Sequence, residues 1–212
     1  MGCQQPGEPH EDPSEWQLGA SWAAFDTELM DLQGNRGISL RQQAVTVSGT
    51  RLLSKGWSLR AAVGAPLAGS LDDVLETLPG AQAAVQGAKL WRGADGARPF
   101  VSSSLTIAVG WSRLDDLDLE SLSSGTLLAT DLRLGTAVGW QIAGLWSPYL
   151  SLQVFGGPAF ITVDGDVTQT TDVHHYRGSV GSSFFIGDAL SLFVDVAPLG
   201  ERGLAAGMSY AL

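Results

Sequence analysis

Between residues 127 and 163 the chain alternates with a period of two. In LLATDLRLGTAVGWQ, the residues Leu128, Leu132, Leu134, Val138 and Trp140 are bulky and apolar. Those between them, Ala129, Asp131, Arg133, Gly135, Ala137 and Gly139, are small or charged. Successive side chains of a strand point to opposite faces, so the run predicts a strand with one greasy face and one small, polar face. After the link IAGLWSP comes YLSLQVFGGPAFITV, where Leu150, Leu152 and Val154 oppose Ser151 and Gln153. Both limbs exceed the ~5–6 residues of an ordinary soluble strand. They are long enough to cross a bilayer at a tilt, which takes about 9–11 residues.

The same pattern recurs along the chain. Residues 15–25 set Trp16, Leu18, Ala20 and Trp22 against Gln17, Gly19 and Ser21. Residues 43–53 set Val45 and Val47 against Thr46, Ser48 and Thr50, and residues 57–67 set Trp57, Leu59, Ala61 and Val63 against Ser58, Arg60 and Gly64. Residues 81–91 are rich in Ala and show no clear face. They read as a strand because the turn GADGA follows and residues 100–111 return with Val101, Leu105, Ile107, Val109 and Trp111 on one side. Strands at 174–186, 190–196 and 204–212 complete the set. Residues 70–78 differ: Ser70-Leu71-Asp72-Asp73 resembles a capping box, and Leu71, Val74, Leu75 and Leu78 fall at helical spacing, so a short helix is expected there. Residues 113–125 and 164–172 read as polar loops.

Long and short links alternate, with 198–202 the one short link on the long-loop side. Long loops at one end, short turns at the other and an even strand number are the habit of membrane barrels. The expected fold is therefore all-β, an antiparallel up-and-down transmembrane β-barrel of ten strands over residues 15–212. Eight strands would result if 81–91 and one neighbour failed.

Composition narrows the reading. The net charge of −10 disfavours nucleic acid, whose backbone calls for basic patches. A single Cys allows no internal disulfide and no cysteine-based zinc site. No run of 18 apolar residues offers a transmembrane helix, which leaves a barrel open. Residues 1–14, MGCQQPGEPHEDPS, are a polar tail of the disordered type, with no charged n-region and apolar h-region before Trp16. Two explanations stay open: a signal peptide outside this sequence, or a lipoprotein processing site left at Cys3 after Gly2. Cys3 is thus a lipidation candidate, whereas Pro6 breaks the N-myristoylation pattern.

The alternation, the Trp and Tyr residues near strand ends and the final GMSYAL resemble the small outer-membrane β-barrels of Gram-negative bacteria. The resemblance covers residues 15–212 and rests on pattern. It departs at the last residue, Leu212, where such chains usually end in Phe. It implies an outer-membrane location, lipopolysaccharide and the barrel assembly machinery as partners, and a monomer.

A soluble barrel or sandwich would need a well-solvated second face, and Gly, Ser, Ala and Thr make a poor one. The inward charges gather in the outer half: Asp131, Arg133, His175, Arg177 and Asp195, with Glu201 at the rim and Arg60 alone near the other end. Charges in a membrane barrel are costly unless paired, so a lumen-plugging charge network is expected. The competing reading is catalytic. Barrel enzymes acting on lipid A or peptides use His with Asp or Ser, and His175 with Asp172 and Ser179 is the local match. His174, its neighbour on the strand, would face lipid. A third reading is a narrow passive channel, since the small residues of the inward face leave room for water. No metal site or cofactor is expected, because Asp72-Asp73 and Asp115-Asp116 fit no calcium-loop spacing.

Overall fold

The computed structural model describes residues 16–31, 37–92, 98–116 and 124–212. The tail with Cys3, the GADGA turn and the centre of the acidic 113–125 segment lie outside the described residues.

Among the described residues there are thirteen strands: β1 (Trp16–Asp31), β2 (Gly37–Leu52), β3 (Trp57–Leu71), β4 (Leu75–Thr77), β5 (Ala81–Arg92), β6 (Arg98–Asp116), β7 (Ser124–Gln141), β8 (Trp146–Gly156), β9 (Ala159–Val163), β10 (Asp166–Asp172), β11 (Tyr176–Ile186), β12 (Leu190–Gly200) and β13 (Arg202–Ala211). All pair antiparallel. Ten of them close a ring in the order β1-β2-β3-β5-β6-β7-β8-β11-β12-β13, with β13 returning to β1 from Ala211↔Gln17 to Arg202↔Asp26. Closure leaves no free edge, as a sheet that spans a membrane requires.

The apolar alternate residues face outward. Leu18, Val47, Leu59, Val63, Val85, Leu105, Ile107, Leu134, Leu150, Val194 and Met208 are all exposed. Trp16, Trp57, Trp91, Trp140, Trp146 and Tyr210 stand at the rim that carries the chain ends. From Val101, opposite Trp91, to Trp111 the strand rises about 3.4 Å per residue. At a tilt near 40° that is about 25 Å of height, the span of a barrel's lipid-facing band. Inside, large rings lie over glycines of the next strand: a Cβ on Gly181 would strike the Tyr149 ring, and one on Gly207 the Phe193 ring.

At the end away from the chain termini the barrel narrows. The β12–β13 hairpin stops at Gly200–Glu201, and β10 takes its place beside β1, pairing Leu29 with Asp172. With β4 between β3 and β6, and β9 between β7 and β10, eight strands close a second ring. Here β1, β2, β6 and β7 keep the phase of the alternation but exchange its chemistry, while a bulge opposite Gln43/Ala44 shifts β3 by one residue. Glu28, Arg41, Arg113 and Asp115 face outward, while Leu29, Leu40, Leu71, Leu114, Leu127 and Ile161 are buried inside. Eight strands leave a narrow interior, and here a leucine-rich cluster occupies it. Each fully buried leucine contributes on the order of 1.5–3 kcal/mol.

This second ring corrects four expectations. Residues 70–78 form a hairpin and not a helix. Asp72 and Asp73 both adopt left-handed φ (56° and 54°), which makes the tight turn, and Leu71 pairs with Leu75 across it. The Ser70 hydroxyl donates to Asp73 (3.1 Å) instead of capping a helix N-terminus. Residues 164–172 are not a loop, because Asp164-Gly165 is a two-residue turn between β9 and β10. The limb 149–163 breaks at Gly157-Pro158, where Pro lacks the N–H to continue the ladder. Finally, β11 begins at Tyr176, so His174 and His175 lie before the strand. The short 198–202 link is also explained, since β10 roofs it.

Candidate functional site

Four inward positions and one hairpin turn assemble the charges. Asp131 and Arg133 are two apart on β7, so both enter the lumen. Arg177 and Ser179 do the same on β11, and Asp195 on β12. Glu201 sits in the β12–β13 turn after Gly200, whose φ is +72°. Glu201 and Asp195 are the most enclosed carboxylates, at 3% and 5% exposure.

The contacts form one chain across the lumen. Arg133 is forked onto Glu201 through Nη1–Oε1 and Nη2–Oε2, both 2.9 Å, and its Nε donates to Asp131. Its guanidinium also stacks on Phe155, 4.6 Å from the ring centre. Arg177 donates to the same Oε1 of Glu201 (2.9 Å) and to Asp195 Oδ1 (3.2 Å). The Ser179 hydroxyl donates to Asp195 Oδ2 (2.8 Å) and shares a 2.6 Å hydrogen bond with Ser151. Bidentate, charge-assisted bonds of this kind are the strong ones, and they offset the desolvation of the buried carboxylates.

The network stands between two cavities. One, of about 290 Å³, lies toward the leucine-rich core and is lined by Phe25, Thr27, Leu40, Asp131 and Asp172. The other, of about 280 Å³, lies toward the chain-terminal rim and is lined by Phe100, Ser104, Thr106, Tyr149 and Gln153. Arg133 and Glu201 line both. Arg60 sits apart, beside Gln17, Thr50 and Gln86 in a cavity of about 30 Å³, and its Nε has no hydrogen-bond partner.

The structure thus brings Asp131, Arg133, Arg177, Asp195 and Glu201 together, Glu201 at the centre and not at the rim. It does not bring His175 to them. His175 is exposed, and its carbonyl accepts the Phe155 N–H (3.0 Å) just outside the lumen. Of the residues grouped with it in the catalytic reading, Asp172 accepts the Thr27 hydroxyl (3.0 Å) and Ser179 is engaged by Asp195. Among the described residues no three His, Cys, Asp or Glu side chains gather in a geometry that could hold a metal. Sequence reasoning missed the lumen aromatics Phe100, Tyr149, Phe155 and Phe193, although their parity along each strand marks them as inward.

Among solved structures, the chain is similar to the outer membrane protease OmpT from Escherichia coli, at TM-score 0.57 and 8% identity over 94% of this chain and 97% of that one. It is also similar to the translocator domain of the autotransporter NalP from Neisseria meningitidis (TM-score 0.53, 11% identity, 95% and 90% covered). A third is an outer membrane channel from Pseudomonas putida F1 (TM-score 0.50, 10% identity, 98% and 99% covered). The fold is that of an outer-membrane β-barrel. Identities this low carry the fold alone, since a protease, a translocator and a channel share it. No protein-family model matches the sequence, and no curated protein matches it either.

Proposed function

We propose that this chain is a monomeric outer-membrane barrel with a closed lumen, whose role is structural and surface-interacting and not enzymatic. The observation that carries the reading is the Glu201-centred network, which crosses the lumen beneath the leucine-rich eight-strand storey. A conducting pore needs a continuous wet path. Here a path would have to pass both a multiply bonded ion network and a buried leucine-rich cluster. The catalytic reading is less supported, because His175 is exposed while Ser179 is buried and bonded to Asp195. In the proposed orientation the chain ends and short turns are periplasmic, and the polar storey stands above the outer leaflet among lipopolysaccharide. The barrel assembly machinery would insert it.

Solute flux tests the proposal. Liposomes carrying the purified protein should swell in small sugars no faster than empty ones. Swelling that scales with protein content would favour the channel.

A further inference from the structure

Although the chain has a net charge of −10, a few of its cations gather at one end. Both of its lysines, Lys55 and Lys89, stand at the chain-terminal rim, and Arg51 joins them there. Among the described residues the single acidic side chain at that end is Asp188, in the β11–β12 turn. The acids Asp26, Glu28, Asp73, Glu76 and Asp115 all lie at the other end.

The rim cations are held among tryptophans on the lipid-facing side. Arg51 pairs with Trp16 in register, and its guanidinium lies 5.8 Å from that ring. Lys89 pairs with Trp57, and its ammonium lies 5.3 Å from the Trp57 ring and 5.9 Å from Trp91. It also donates to the Lys55 carbonyl in the β2–β3 turn. The four strands β1, β2, β3 and β5 are consecutive neighbours, so these residues form one continuous sector. Trp140, Trp146 and Tyr210, on the rest of the girdle, have no such cation over their rings among the described residues.

Cation–π contact fixes where these charges sit without neutralising them. Among the described residues no ion pair reaches Arg51, Lys55 or Lys89. Tryptophans of a membrane barrel lie at headgroup depth. The anion present at that depth is a lipid phosphate, and an indole N–H adds a donor for it. We propose that the Trp16–Arg51–Trp57–Lys89–Trp91 sector is a binding site for the phosphate of anionic glycerophospholipids in the periplasmic leaflet. The leaflet follows from the orientation proposed above; the phosphate chemistry does not depend on it. A cation near an anionic surface strengthens binding about fivefold.

Native mass spectrometry of the full chain from detergent micelles tests this, with phosphatidylglycerol, phosphatidylcholine and lipid A added in turn. The wild type should retain phosphatidylglycerol in preference to the other two. Arg51→Gln with Lys89→Gln should lower that retention at least fivefold, while Arg51→Lys with Lys89→Arg preserves it. Asp188→Asn, in the β11–β12 turn, should leave it unchanged, and β-type circular dichroism checks that each variant is folded. Equal retention of phosphatidylglycerol by wild type and the double Gln variant would overturn the site. So would preferential retention of lipid A that is lost in that variant, which would assign the sector to the outer leaflet. Neither result bears on solute flux, so failure here is separable from failure of the closed-lumen reading.

Discussion

Arg133 and Glu201 meet in a two-pronged contact, both N–O distances 2.9 Å, that ties the middle of β7 to the tip of the β12–β13 hairpin on the far wall. Glu201 also holds Arg177, so one carboxylate serves two guanidiniums. Glu201→Ala would leave both short of a partner inside the lumen. The expected cost is on the order of 3–5 kcal/mol, as for other broken buried pairs. Urea titration of the barrel folded in detergent checks it, and a loss under about 1 kcal/mol would show that the network does not hold the barrel.

Arg177→Ala and His175→Ala separate a structural network from an active site. Arg177 bridges Glu201 and Asp195, so its removal should lower the thermal midpoint sharply. His175 is exposed, so its removal should move the midpoint very little. Lipid A extracted from the same cells should be identical in both. A changed lipid A profile in His175→Ala would revive the catalytic reading.

The leucine-rich storey predicts an inside–outside contrast within one strand. Leu114 is 2% exposed inside the second ring, and Leu105 is 48% exposed on the lipid-facing wall. Leu114→Ala should cost about 2–5 kcal/mol in unfolding experiments, the range for cavity-forming core truncations. Leu105→Ala, whose side chain meets lipid or detergent, should cost clearly less. Equal costs would mean the storey is not a packed core.

Orientation is open to labelling on whole cells in a Cys3→Ser background. Thr168 is exposed on β10, at the end with the second ring, and Thr168→Cys should react with an impermeant thiol reagent. Asp188→Cys, in the β11–β12 turn, should not. The reverse pattern would place the chain ends outside the cell.

Most of the ten-strand ring is legible in the sequence because lipid imposes one rule along each strand: apolar out, small or polar in. Leu128, Leu132 and Leu134 obey it, as do Val101, Leu105, Ile107 and Val109. What escaped is the storey where water replaces lipid outside. The signal is that the apolar residues move to the other face: Trp22 is outward but Leu29 is inward, and Val45 is outward but Leu40 is inward. If the apolar residues are expected on one face throughout β1 and β2, loops are inferred where the strands continue in the same phase with the opposite chemistry. The same change disguised the β3–β4 hairpin, since Leu71 and Leu75 are cross-strand partners that fall four apart and mimic a helix.

The charge network was legible residue by residue, but not in its centre. Asp131, Arg133, Arg177 and Asp195 follow from strand parity alone. Glu201 lies in a turn, where parity says nothing, and its partners Arg133 and Arg177 come from β7 and β11. His175 was misplaced by the converse error. Extending β11 back two residues from Tyr176 gave it an inward parity that the real strand start removes.

Single-channel recording in planar bilayers tests the closed lumen most directly. Wild-type protein should insert without unitary conductance steps across the usual voltage range. Glu201→Ala, which loosens the network but leaves the leucine-rich storey in place, should remain silent or nearly so. Glu201→Ala combined with Leu114→Ala should open discrete conductance. Reproducible unitary steps from the wild type alone would contradict the account.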